Sequence, residues 1–125
     1  MTVLIDSWAW IEYFKGSEAG KKIKRVIDDD EEAIISTINL AEVYRWILKF
    51  YDSKTADEKA SIMKKRCFVI SVDEGIAIEG AKLRHGLKLG LGDALVQATA
   101  KSENAKVLTG DPDFKELENV IYIGR

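Results

Sequence analysis

The sequence predicts a three-layer α/β/α fold with a central parallel five-stranded sheet, and two observations carry that expectation. Five short apolar runs, VLI (3–5), AIIS (33–36), FVIS (68–71), KVL (106–108) and VIYI (120–123), read as buried strands. Segments of helical character separate them, the alternation from which a sheet covered on both faces is built. The 125 residues contain no internal repeat, low-complexity tract or linker, so residues 1–125 are read as one domain.

The elements follow in order. After the first strand, SWAWIEYF (7–14) reads as a helix with Ser7 as its cap, and SEAGKKIKRVIDD as a second helix beginning near Ser17. The second strand leads into a helix over residues 37–51. Its apolar positions Leu40, Val43, Tyr44, Ile47, Leu48 and Tyr51 recur at three- and four-residue steps. Residues 53–65 form a more polar helix ahead of the third strand. DEGIAIEGAKLRHG is a helix with Asp73 as cap, KLGLG a glycine-rich loop, and DALVQATAKSE the helix that feeds the fourth strand.

Composition narrows the function. Hydrophobic residues at 46% and charged residues at 32% exclude a disordered chain. A net charge of −2 argues against holding nucleic acid by blanket counterion release, so any such contact is local. The basic groups at 21–25, at 64–66 and at Lys82, Arg84, His85 and Lys88 read first as solvated helix faces. MTVLID meets an acid after three apolar residues, and no apolar run has membrane-spanning length; the expectation is a soluble, cytoplasmic protein. Cys67 is the only cysteine and reads as a core hydrophobe, which excludes an internal disulfide and a cysteine-built zinc site. His85 is the only histidine, so no histidine-pair nuclease can be assembled.

The acids carry the chemistry. In a parallel sheet all strands end at one edge, where the N-termini of the antiparallel-packed helices also gather. Asp6 follows the first strand and Asp111 the fourth. Asp93 opens a helix at that edge, and Glu42 lies about 7 Å into the helix after the second strand. Singly, Asp6 and Asp93 read as caps, Glu42 as an exposed helix residue and Asp111 before Pro112 as a turn initiator. Jointly, their placement at one edge favours a site. Two carboxylates ~5 Å apart repel by about 3 kcal/mol at an effective dielectric of ~20, so the cluster requires a cation or a proton. All-oxygen ligands suit Mg²⁺ or Mn²⁺.

The succession VLIDSWAWIEYF, INLAEVYRWIL, LGLGDALVQATA and VLTGDPDF resembles the PIN-domain family, most closely the VapC-like ribonuclease toxins of type II toxin–antitoxin pairs. The likeness spans nearly the whole chain. It implies a PIN-like fold and a Mg²⁺- or Mn²⁺-dependent endoribonuclease whose catalytic acids fall on Asp6, Glu42, Asp93 and Asp111. Asp6, Asp93 and Asp111 would hold the metal, Glu42 would position or deprotonate the attacking water, and Ser7, Thr109 and Asp113 would support them, Asp113 being also a candidate fifth acid because related sequences vary in which of Asp111 and Asp113 carries the role. The chain departs from the pattern at Gln97, where a smaller or apolar residue is more usual, and at Pro112, whose ring bears on where Asp113 points.

The resemblance also implies an RNA substrate, a homodimer and a cognate antitoxin covering the acidic site. The aromatic surplus at Trp8, Trp10, Tyr13, Phe14, Trp46 and Phe50 fits either protein contact, although core packing accounts for most of it. Two other classes remain open. One is a PIN-fold binding module without catalysis. The other is a receiver domain or aspartyl phosphatase, for which Asp6 lacks a neighbouring second acid and no lysine follows the last strand.

Overall fold

Strands β1 (Thr2–Ile5), β2 (Glu32–Ser36), β3 (Phe68–Ile70), β4 (Lys106–Thr109) and β5 (Val120–Tyr122) pair into one all-parallel sheet in the order β3-β2-β1-β4-β5. The structure is a computed structural model and describes residues 1–29 and 32–124. The chain winds outward from β1 through β2 to β3, then crosses back to place β4 on the other side of β1. That reversal makes a topological switch point between β1 and β4, where the strand ends open a crevice.

Helices α1 (Ser7–Lys15), α2 (Glu18–Asp28), α3 (Thr37–Phe50), α4 (Ser53–Arg66), α5 (Glu74–Gly86) and α6 (Leu91–Ser102) cover the sheet. Because side chains alternate along a strand, β1 feeds two cores. Val3 and Ile5 pack with Trp10, Ile23, Ile35, Val43, Ile47 and Met63. Leu4 packs on the other face with Ile34, Ala94, Val96, Val107 and Phe114. Burying each of the larger apolar side chains contributes about 1.5–3 kcal/mol. Cys67 lies in the first core, as its composition-based reading expects.

Two local features differ from the sequence reading and two add to it, each with a visible cause. Ser7 is the first residue of α1 rather than its cap; Asp6 holds the cap position with extended backbone but makes no side-chain cap bond, its carboxylate being engaged elsewhere. Helix α6 starts at Leu91, inside the expected glycine-rich loop, with Gly90 at its N-cap, so Asp93 stands third in the helix. A short 3₁₀ turn, Pro112–Phe114, follows β4, with Pro112 supplying its fixed φ and Asp111 capping it. Gln97 is buried and donates through Nε2 to Asn119 Oδ1, which ties α6 to the segment entering β5.

Gly110 follows β4 at a position where only a glycine fits. A Cβ there would overlap Ile123 O and the Trp8 ring, so its absence lets β5 and α1 close around the turn that carries Asp111.

Candidate metal and active site

Asp6 sits where β1 and β4 separate. Its N–H donates to Leu108 O at 3.1 Å, extending the ladder past the end of β1 and pinning the residue against β4. The side chain is 3% exposed. Thr109 Oγ1 donates to Oδ2 at 2.8 Å and Asn39 Nδ2 to Oδ1 at 3.3 Å. Burial nevertheless dominates and pushes the carboxyl up to about 7; the bonds from Thr109 and the Ser7 backbone pull the other way, and the charges of Asp93 and Glu42 push further up. Thr109 Oγ1 also accepts from Asp111 N at 3.0 Å, so one buried hydroxyl joins two of the expected acids.

Helix α3 brings in Glu42. Its start is fixed by a capping box in which Ser36 Oγ accepts from Ile38 N at 3.0 Å and Asn39 Oδ1 accepts from Ser36 N at 2.8 Å. One turn on, Glu42 is exposed at the surface, flanked by exposed Ala41 and buried Val43. Ser7 Oγ donates to its Oε1 at 2.7 Å and itself accepts from Asn39 Nδ2 at 3.0 Å. The other oxygen faces Gly92, where a Cβ would stand 3.3 Å from Oε2.

Asp93, Asp111 and Asp113 complete the edge, each offering an oxygen within 4.8 Å of the other two. Half-buried Asp93 is pushed up to about 6, first by burial and then by Asp111, Glu42 and Asp113. Asp111 Oδ1 accepts from Asp113 N at 3.0 Å, which folds the turn so that both carboxylates reach Asp93. Asp6 and Glu42 stand outside this close trio but bear electrostatically on Asp93 or on each other. The three donors are all carboxylate oxygens, with no nitrogen or sulfur among them, a set suited to a hard cation such as Mg²⁺ or Mn²⁺.

Asp113, expected as a supporting residue and candidate fifth acid, belongs to the trio. Asn39 does not figure among the expected residues, although it is fully buried and touches Asp6 and Ser7. Its signal is the Ser36–x–x–Asn39 spacing, a capping box written with asparagine in place of glutamate or glutamine.

The family model described as PIN domain matches residues 3–120. No curated protein matches the chain. Among solved structures, the chain is similar to a toxin–antitoxin complex from Klebsiella pneumoniae, at 25% identity over 95% of both chains with a TM-score of 0.78. It is also similar to VapBC2 from Rickettsia felis bound to a DNA fragment from its promoter, at 21% identity over 100% of this chain and 99% of that one, TM-score 0.78. A third is VapC20 of Mycobacterium tuberculosis, described as a sarcin–ricin loop cleaving toxin, at 16% identity over 98% and 99% of the two chains, TM-score 0.80.

Proposed function

The chain belongs to the PIN-domain family, and from that premise we propose that it is a Mg²⁺- or Mn²⁺-dependent endoribonuclease, the toxin of a toxin–antitoxin pair. The observation that carries the reading is the convergence of Asp93, Asp111 and Asp113 within 4.8 Å, with Asp6 and Glu42 coupled to Asp93 at the same edge. The toxin and toxin–antitoxin descriptions of the similar structures support it.

In this reading Asp6, Asp93 and Asp111 hold the cation, and Asp113 adds an oxygen beside them. A divalent ion bound there supplies positive charge for the scissile phosphate and lowers the pKa of water at the site. Glu42 accepts the proton of the attacking water. Ser7 occupies its Oε1, which leaves Oε2 for that task. Thr109 fixes Asp6 relative to Asp111. Residues 1–125 act as a single PIN domain in the cytoplasm, as a homodimer, with RNA as substrate. Among the described residues no helix is long and apolar enough to cross a membrane. The antitoxin covers the acidic edge, and the apolar surface at the end of α3, where Leu48 and Phe50 and the following Tyr51 are exposed, offers it or a second copy further contact.

The test is cleavage of RNA by purified protein with and without Mn²⁺, beside Glu42→Gln. Metal-dependent cleavage lost in Glu42→Gln supports the reading. A wild type that cuts nothing with metal present sinks it and leaves a PIN-fold binding module.

A further inference from the structure

We infer that Asn39 is a positioning residue that holds the Asp6 and Glu42 carboxylates in fixed relation, through one direct bond and one relayed by Ser7. The inference rests on the nuclease reading and names how its water-activating and metal-holding sides are kept in register.

The geometry is a branched chain of hydrogen bonds rooted in the backbone. Ser36 N–H can only donate, so the atom of Asn39 that meets it at 2.8 Å is Oδ1, and this fixes which way the amide faces. Nδ2 then has its two protons directed at Ser7 Oγ, 3.0 Å away, and Asp6 Oδ1, 3.3 Å away. Because Ser7 Oγ accepts from Asn39, its own proton is free for Glu42 Oε1 at 2.7 Å. Asn39 and Ser36 are both fully buried, so the root of the chain is held by packing. Glu42 is exposed and would sample many rotamers without this tether.

The plainer role for Asn39 is to cap α3, and that role uses Oδ1 alone. Asn39→Asp keeps an oxygen for Ser36 N–H and removes both donors, whereas Asn39→Ala removes all three bonds. The two roles therefore separate by variant. Ser7→Ala cuts only the relay to Glu42. If Asn39 acts on Glu42 through Ser7, the effects of Ser7→Ala and Asn39→Ala on turnover overlap rather than multiply.

The experiment measures single-turnover RNA cleavage and RNA binding for wild type, Ser7→Ala, Asn39→Ala, their double variant and Asn39→Asp, each checked for folding by thermal melting. The expected result is a 10- to 100-fold fall in cleavage rate for Asn39→Ala with RNA affinity kept. The double variant should be much less impaired than the product of the singles, and Asn39→Asp, which keeps the cap but sets a second buried carboxylate beside Asp6, should cut poorly. Wild-type cleavage kept in folded Asn39→Ala or in Asn39→Asp overturns the inference while leaving the nuclease reading intact. Should the wild type not cut RNA, the nuclease reading fails first, and the Asn39 side-chain amide decides the rest. Its proton resonances should shift on Ser7→Ala and on Mg²⁺ addition. Indifference to both removes the link between Asn39 and the acids.

Discussion

Thr109 Oγ1 donates to Asp6 Oδ2 at 2.8 Å, joining residues 103 positions apart in the chain and fully inside the protein. A buried carboxylate without donors loses its solvation with nothing in return, so this hydroxyl lowers the cost of keeping Asp6 ionised. Thr109→Val keeps the shape and deletes the donor. It should destabilise the fold by about 1–3 kcal/mol at pH 8, where Asp6 is charged, and by less at pH 5, where it is protonated. Thr109→Ser should restore most of the difference. Urea unfolding at the two pH values measures it; an equal loss at both would mean that only packing was damaged.

The raised carboxyls at Asp6 and Asp93 fix the sign of a pH effect. Each is at 3.8 when unperturbed and rises in the folded protein, to about 7 and about 6 respectively. Between those limits the folded state binds more protons than the unfolded chain, so unfolding becomes easier as pH rises. In metal-free buffer these two acids should lower the melting temperature from pH 4 to about 7, with the decline ending above that. Asp6→Asn should flatten the upper part of the decline and raise the melting temperature at pH 8. Mg²⁺ or Mn²⁺ should raise the wild-type melting temperature at pH 8 and do less for Asp6→Asn and Asp93→Asn. Equal metal responses in all three proteins would show that these acids share no cation.

Much of this arrangement is legible in the sequence because it follows from chain topology. Strand ends and helix starts must meet at one edge of a parallel sheet, so Asp6, Glu42, Asp93 and Asp111 can be placed there without coordinates. Side-chain direction is not legible in the same way. Asp113 comes close to Asp93 on a 3₁₀ turn that Asp111 caps, a two-residue event that strand and helix periodicity does not register. Asn39 is hidden for a related reason. A polar residue in the first turn of a helix is ordinarily a local cap, and nothing in its spacing says that its side-chain donors point across to Asp6 and Ser7.

The acid turn allows the pair to be ranked. Replacing either aspartate by asparagine keeps a side-chain oxygen, so Asp111→Asn can still accept from Asp113 N and should leave the turn folded. Only charge is lost. Asp111 is half-buried and tied through its N–H to Thr109, whereas Asp113 is exposed, where water offsets more of its contribution. Asp111→Asn should abolish cleavage, and Asp113→Asn should weaken Mn²⁺ binding but leave measurable activity. Calorimetric Mn²⁺ titration beside RNA cleavage checks both. The reverse order would exchange their roles.

Topology also distinguishes the basic groups that composition leaves equivalent. Helix α4 ends at Arg66 and feeds the start of β3, so Lys64, Lys65 and Arg66 lie at the sheet edge away from the acids. Helix α6 feeds β4, which sets its N-terminus at the acidic edge, and only residues 87–90 separate it from the end of α5. Arg84, near the end of α5, and Lys88, in the connection that leads into α6, are both exposed, while Lys82 is engaged with Glu79 at 3.3 Å. An RNA strand entering the acidic edge needs cations beside it to offset repulsion from the carboxylates. Arg84→Glu with Lys88→Glu should weaken binding of single-stranded RNA to Glu42→Gln protein in Mn²⁺ and lower the slope of log affinity against log salt by about 0.7 for each phosphate no longer neutralised. Lys64→Glu with Lys65→Glu makes the same change of net charge at the far edge and should do little. Equal weakening by the two pairs would show that overall charge governs binding, and full affinity in the first pair would place the RNA path on another face.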